Sequence, residues 1–256
     1  MESRDWKNFQ TTSLKSFIYL PILAFVLIPG GIIICYAVIY QHEFIRGLPG
    51  FPFISDLGVQ PPSNAIFSLL FNWGALATFA TMYSYYKYVI HTSRQSKLNI
   101  AALVFGFITC FGITLVASFE WIDSFVPHMI GAGLTFAGCI VYFWMIVSIS
   151  WSLVPDVHSR SIVYLRIVIA SLTTLLLIAG GVGIMLVQVN KAKFFNMTSI
   201  LEWCLTYLSY LFLLTFIYDL RNIRTTEVNL KLQRSTNNHP VTSSATCTND
   251  AFVDVV

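Results

Sequence analysis

IVYLRIVIASLTTLLLIAGGVGIMLVQV, residues 162–189, is the stretch whose reading decides the fold. It runs 28 residues with one charged side chain, Arg166. A hydrocarbon core of about 30 Å takes about 20 apolar residues of helix, so this stretch is long enough to cross a bilayer. In lipid each backbone N–H and C=O must be satisfied within the protein, which makes a lone crossing segment an α-helix. Five more stretches meet that length: 16–40, 64–88, 99–119, 128–151 and 199–220. The chain therefore reads as an all-α membrane protein, a six-transmembrane-helix bundle with a folded first exoplasmic loop. Residues 1–15 form a cytosolic N-terminal segment, 16–220 the six-span membrane domain, and 221–256 a cytosolic, largely disordered tail. The first span is too long for a signal-peptide core, and no small-residue cleavage pattern follows it, so it reads as a retained helix.

Composition agrees. Hydrophobic residues are 56% of the 256 and charged residues 11%, against about 25% charged in an ordinary soluble domain. A globule with so few charges cannot cover its surface, and the spans leave no room for a large soluble domain. A net charge of +3 with no basic, aromatic-interleaved patch argues against a nucleic-acid partner. Cys35, Cys110, Cys139, Cys204 and Cys247 form no CxxC, so neither a zinc site nor a redox motif is supported. They read as small buried apolar side chains.

Lys and Arg set the orientation. Twelve of the 15 fall in the N-terminal segment, the second-to-third connection, the fourth-to-fifth connection (Arg160 and, one turn into the helix, Arg166) and the tail. Arg46, Lys191 and Lys193 fall on the other side. Both termini are thus expected in the cytosol. Short connections make the spans antiparallel neighbours, with Gly133 and Ala137, and Ala179 and Gly183, letting helices approach. Pro21 and Pro29-Gly30-Gly31 are expected to kink the first span, and Tyr83, Tyr85, Tyr86 and Tyr88 to form an interfacial belt. In the tail, Arg221, Arg224, Lys231 and Arg234 are candidate contacts for anionic inositol lipids, at about 1 kcal/mol per basic residue near a membrane surface. A solvated, orienting tail is the plainer reading.

The exoplasmic side holds the candidate site. Its first loop, residues 47–62, reads GLPGFPFISDLGVQPP. Four prolines and three glycines fix an irregular path, yet Phe51, Phe53, Ile54 and Leu57 are too apolar to stand in water, so a folded cap on the bundle mouth is expected. Asp56 suits an Asx-type turn. Glu120, Asp123, His128 and Glu202 fall at the same depth. An ionisable residue within a span is a functional-site hypothesis by default. These groups could hold a metal or relay a proton. The favoured reading is a hydrogen-bonded network tying loops to helix ends, with Glu202 also favoured by the helix dipole. Of the five His, only His128 lies at a span, which argues against a zinc hydrolase. There is no GxSxG, HExxH or P-loop, and no span carries a polar stripe that would suit a pore. No catalytic residue, metal or cofactor is assigned. Asn196-Met-Thr198 is a candidate glycosylation sequon crowded against the sixth span. Asp254-Val-Val256 is a weak match to a ligand of a PDZ-type groove.

Several motifs, in order, resemble the damage-regulated autophagy modulator (DRAM) family. Pro52-Phe-Ile-Ser55-Asp56-Leu-Gly58-x-x-Pro61-Pro62 resembles its first-loop signature, and Asn72 with Met82-Tyr83 and Tyr86-Lys87 its second span. Gly112 with Val116-Ala-Ser-Phe-Glu120 is similar to its third. Val126-Pro-His128, Gly131-Ala132, Phe136, Gly138 and Tyr142 are similar to its fourth, and Glu202-Trp203 with Leu214-Thr-Phe-Ile217 and Asp219 to its sixth. The resemblance runs from about residue 15 to about 224. Leu57 and Val59 stand where the family usually has Thr, Ser63 where it has Glu, and Glu120 where Gln is common. The resemblance implies a non-enzymatic six-span modulator of autophagy, with apoptosis among the associated processes, in lysosomal or endosomal membranes and acting through cytosolic or membrane protein partners. Sister families imply two alternatives: a plasma-membrane scaffold for a phosphoinositide kinase complex, and a lipid-handling or GPI-anchor-remodelling protein with a polar exoplasmic site.

Overall fold

Apolar segments that must close their own backbone hydrogen bonds become helices, and the computed structural model is helical through all six. It describes residues 17–92, 96–155 and 158–221. The expectations for the N-terminal segment and for the tail beyond Arg221, with Arg224, Lys231, Arg234 and Cys247, lie outside the described residues. α1 (Tyr19–Leu27) and α2 (Pro29–Ile39) make the first span. α3 (Glu43–Arg46) and a 3-10 turn (Ser55–Gly58) shape the first loop. α4 (Ser63–Thr92), α5 (Lys97–Ser118), α6 (Phe125–Ser152) and α7 (Arg160–Val189) are spans two to five, and α8 (Lys191–Leu214) with α9 (Phe216–Leu220) makes the sixth. All six are long and apolar enough to cross a membrane.

The first span is shorter than predicted at both ends, while spans two to six start earlier than predicted, most of all the sixth, which starts at Lys191 and not at 199. Asn190 explains this. Its side chain accepts the Lys193 N–H at 3.2 Å, capping the new helix, so one non-helical residue turns α7 into α8. The proline expectation holds in part. The first span is interrupted at Ile28, before Pro29, yet Ile28 N–H still reaches Ala24 O at 3.1 Å and Ile32 N–H reaches Ile28 O at 2.9 Å. Pro21 sits in the first turn of α1, where a missing N–H leaves no bond unmade.

Consecutive spans are neighbours, and the sixth returns to the first, closing a ring; α9 reaches across to α4. One end of the bundle carries the first loop and the α5–α6 and α7–α8 turns, and is called here the cap end. Small residues permit the closest approach, but not all those expected. A Cβ on Gly112 would fall 2.6 Å from the Thr135 N and 2.7 Å from the Gly131 O, and one on Gly138 2.8 Å from Thr109 Oγ1. Gly112, Gly131 and Gly138 thus seat α5 against α6. Gly133 and Ala137, predicted for that role, point outward on the other face of the helix. Gly183 does meet its neighbour, with Thr198 Oγ1 2.6 Å from where its Cβ would stand. The outer surface suits lipid: Leu175, Ile178 and Met185 on α7 are each more than 60% exposed, a contiguous apolar face that soluble monomers rarely show. Cys35, Cys110 and Cys139 are buried, whereas Cys204 faces outward.

Candidate functional site

The cap is held by the sixth span. Its first-loop backbone offers donors and acceptors with no regular ladder to satisfy them, and α8 supplies the partners. Asn196 Oδ1 accepts the Phe51 N–H, Glu202 Oε2 accepts the Ile54 N–H at 3.1 Å, and Trp203 Nε1 donates to the Pro52 O at 3.0 Å. Trp203 also packs its indole against Phe51 and Tyr36, with centroids 5.0 and 6.0 Å away. Gly50 presses so close to Asn196 that a Cβ there would overlap the amide. Asp56 is buried, and its Oδ2 accepts the Phe53 N–H three residues earlier at 2.8 Å. The expected turn thus exists with its bond running backward, as the acid of a capping box does. Leu57 is fully buried in the core, and Ser63 Oγ donates to its carbonyl at 2.6 Å. These positions, which depart from the DRAM pattern, are absorbed into packing.

The remaining rim residues do not converge on one centre. Glu120 accepts from Asn64 Nδ2 at 3.0 Å, and Asp123 is exposed. His128 is buried with its Nδ1 2.7 Å from the Phe119 O. A carbonyl can only accept, so Nδ1 carries the hydrogen. Each of the bonded groups is matched to a loop amide or carbonyl or to Asn64. Among the described residues no group of three or more His, Cys, Asp and Glu could hold a metal. Pro61 and Pro62 are exposed and lead into α4, while Gly58 lies against the Phe67 ring.

Below the cap lies a cavity between spans one to four and six. Counted with the open space at its mouth, its empty volume is about 820 Å³. Ser55, His128, Glu202 and Thr206 line its cap end; Phe71, Ile113, Phe136, Phe143 and Leu213 line its length. Thr109, Thr135 and Ser209 bond back to their own helix, at Phe105 O, Gly131 O and Leu205 O, and Thr78 pairs with the Tyr210 hydroxyl. Thr206 differs: it is 8% exposed, and its Oγ1 has no hydrogen-bond partner among the described residues.

Sequence reading passed over the most deeply buried charges, at the opposite end. Arg166 is 0% exposed. Its guanidinium donates to Asp219 Oδ2, to Ser150 Oγ at 2.7 Å, to Thr215 Oγ1 at 3.0 Å and to Thr215 O at 3.3 Å. It also lies over the Tyr85 and Phe216 rings. His158 Nε2 stands 2.7 Å from Asp219 Oδ1, with Nδ1 3.3 Å from the Ser150 O. Two expectations are corrected here. Arg166 is not an interfacial charge, which leaves eleven basic residues against three for orientation. His158, outside the spans as expected, is nonetheless buried. Tyr85 and Tyr88 do not join a belt, because their i, i+3 spacing turns both inward while Tyr83 faces out. An arginine inside one apolar run and an aspartate in the last turn of another were the available signal.

The family model described as Frag1/DRAM/Sfk1/Cwh43P N-terminal domain matches residues 16–223, the whole six-span region. The chain belongs to this family. The DRAM-type chain is 29% identical over 234 residues to DNA damage-regulated autophagy modulator protein 1 of Homo sapiens, covering 84% of itself and 97% of that protein. It is 30% identical over 196 residues to DNA damage-regulated autophagy modulator protein 2 of Rattus norvegicus, covering 68% and 73%. To the modulator of macroautophagy TMEM150B of Danio rerio it is 25% identical over 204 residues, covering 80% and 85%. No solved structure gives a significant match. The DRAM resemblance read from the first loop, the fourth span and Glu202-Trp203 is thereby confirmed for this family member.

Proposed function

We propose that this protein modulates autophagy from an endolysosomal membrane, with both termini in the cytosol, by binding partners and not by catalysis. The reading is carried by the family match across all six spans together with relatives that are themselves named autophagy modulators. The uneven placement of Lys and Arg supports the orientation. The described part of the terminal face adds Arg221, exposed and over the Tyr218 ring at 4.4 Å, as one anionic-lipid contact. The test is deletion of the gene, followed by turnover of lipidated autophagosome marker with and without lysosomal inhibition, and imaging of the tagged protein against lysosomal and plasma-membrane markers. Flux falls and the tag follows lysosomes on this reading. Unchanged flux under starvation and damage, with the tag at the plasma membrane, overturns it in favour of the scaffold alternative.

A further inference from the structure

The cavity beneath the cap has a polar end and an apolar length. Its cap end holds a half-buried carboxylate, Glu202, and no Lys or Arg lines it. Among the described residues no cation stands within ion-pair reach of Glu202. A carboxylate facing an apolar chamber is costly unless a counter-charge joins it or it takes up a proton. Thr206, one turn further along α8, faces the same chamber, and its hydroxyl lacks a partner among the described residues. Buried polar atoms are ordinarily satisfied, and an orphan in a cavity wall points to something that fills the cavity. From Glu202 to Leu213 the lining runs eleven residues along α8, about 17 Å at 1.5 Å per residue. That is a little over half of a hydrocarbon core of about 30 Å, the depth of one leaflet's chain.

We propose that this cavity binds one single-chain amphiphile with a protonated amino head, the amine at Glu202, a head hydroxyl at Thr206, and the aliphatic chain running between Phe71, Ile113, Phe136 and Phe143 towards Leu213. An anionic head is disfavoured by the same carboxylate. Because Glu202 also holds the Ile54 N–H, the head group sits directly against the cap. This site is independent of the autophagy reading, which stands or falls on flux and location.

The experiment uses the full chain, purified in mild detergent, with two photoactivatable probes of equal chain length: a sphingosine analogue and a fatty-acid analogue. The sphingosine probe labels the wild type at least tenfold more than the fatty acid, and labelled peptides map to α6 and α8. Glu202→Gln keeps an acceptor for Ile54 and removes the charge, so it lowers sphingosine labelling about tenfold while the fatty acid gains. Ala132→Phe fills the chamber and abolishes labelling by both. Equal labelling of the wild type by the two probes overturns the proposal, and so does labelling unaffected by Ala132→Phe. The wild-type comparison decides alone if a variant fails to elute as a single species.

Discussion

Asp219→Ala removes the acid that buried Arg166 and His158 share. Breaking a buried ion pair by deleting one partner costs about 3–5 kcal/mol, because the other charge is left uncompensated in a poor solvent. Here Arg166 keeps its bonds to Ser150 and Thr215 and its seat over the Tyr85 and Phe216 rings, so the loss is confined to the acid's own share. His158 loses its carboxylate as well, which places the expected cost towards 5 kcal/mol of a total stability that is typically about 5–15 kcal/mol. Replacing the pair together, Arg166→Met with Asp219→Leu, removes charge and counter-charge at once and costs less than either single change, since apolar side chains of similar volume can fill such a site with little loss. The assay is unfolding of the full chain in mixed micelles with increasing dodecyl sulfate, followed by tryptophan fluorescence. An Asp219→Ala chain within about 1 kcal/mol of the wild type, or a double variant that loses the sum of its singles, refutes the buried-pair account.

Gly112→Leu has no room between α5 and α6 and costs more than the roughly 1–3 kcal/mol of ordinary overpacking; Gly133→Leu, facing outward, changes stability by no more than about 0.5 kcal/mol in the same titration. Trp203→Phe keeps a ring against Phe51 but loses the bond to the Pro52 O, for about 1 kcal/mol, and Trp203→Ala loses the ring too, for about 3–5 kcal/mol; equal costs for the two would show that the ring contributes nothing. Asn196 lies within helix α8 with its side chain turned to Phe51, so the protein from mammalian cells shows no mobility change on glycosidase treatment; a shift that Asn196→Gln removes would contradict that placement.

Apolar length made the six helices legible, because 18 or more apolar residues leave few alternatives. The cap was legible for the same reason: Ile54 and Leu57 stand in a loop whose backbone cannot be regular. What escaped was the direction of side chains. Gly131 and Gly133, or Tyr85 and Tyr86, differ by one or two residues along a helix that is apolar all round, so no hydrophobic stripe indicated which faces inward. Pairing across distance escaped too. Arg166 was counted as an orienting charge and Asp219 only as part of a motif, and nothing in either neighbourhood announces the other 53 residues away. The cavity was illegible in principle, since it is a gap between helices and belongs to no one segment.

The grip of α8 on the first loop also sets an order of assembly. Its three bonds join residues 145, 148 and 151 positions apart, so the loop leaves the ribosome long before the helix that holds it. Until the last hydrophobic segment is synthesised, Phe51 lacks Trp203 and Phe53 lacks Phe195. A chain cut short before residue 196 would keep five crossing segments and still lack its lid, presenting to the cell's quality-control machinery an open mouth that the finished protein never shows.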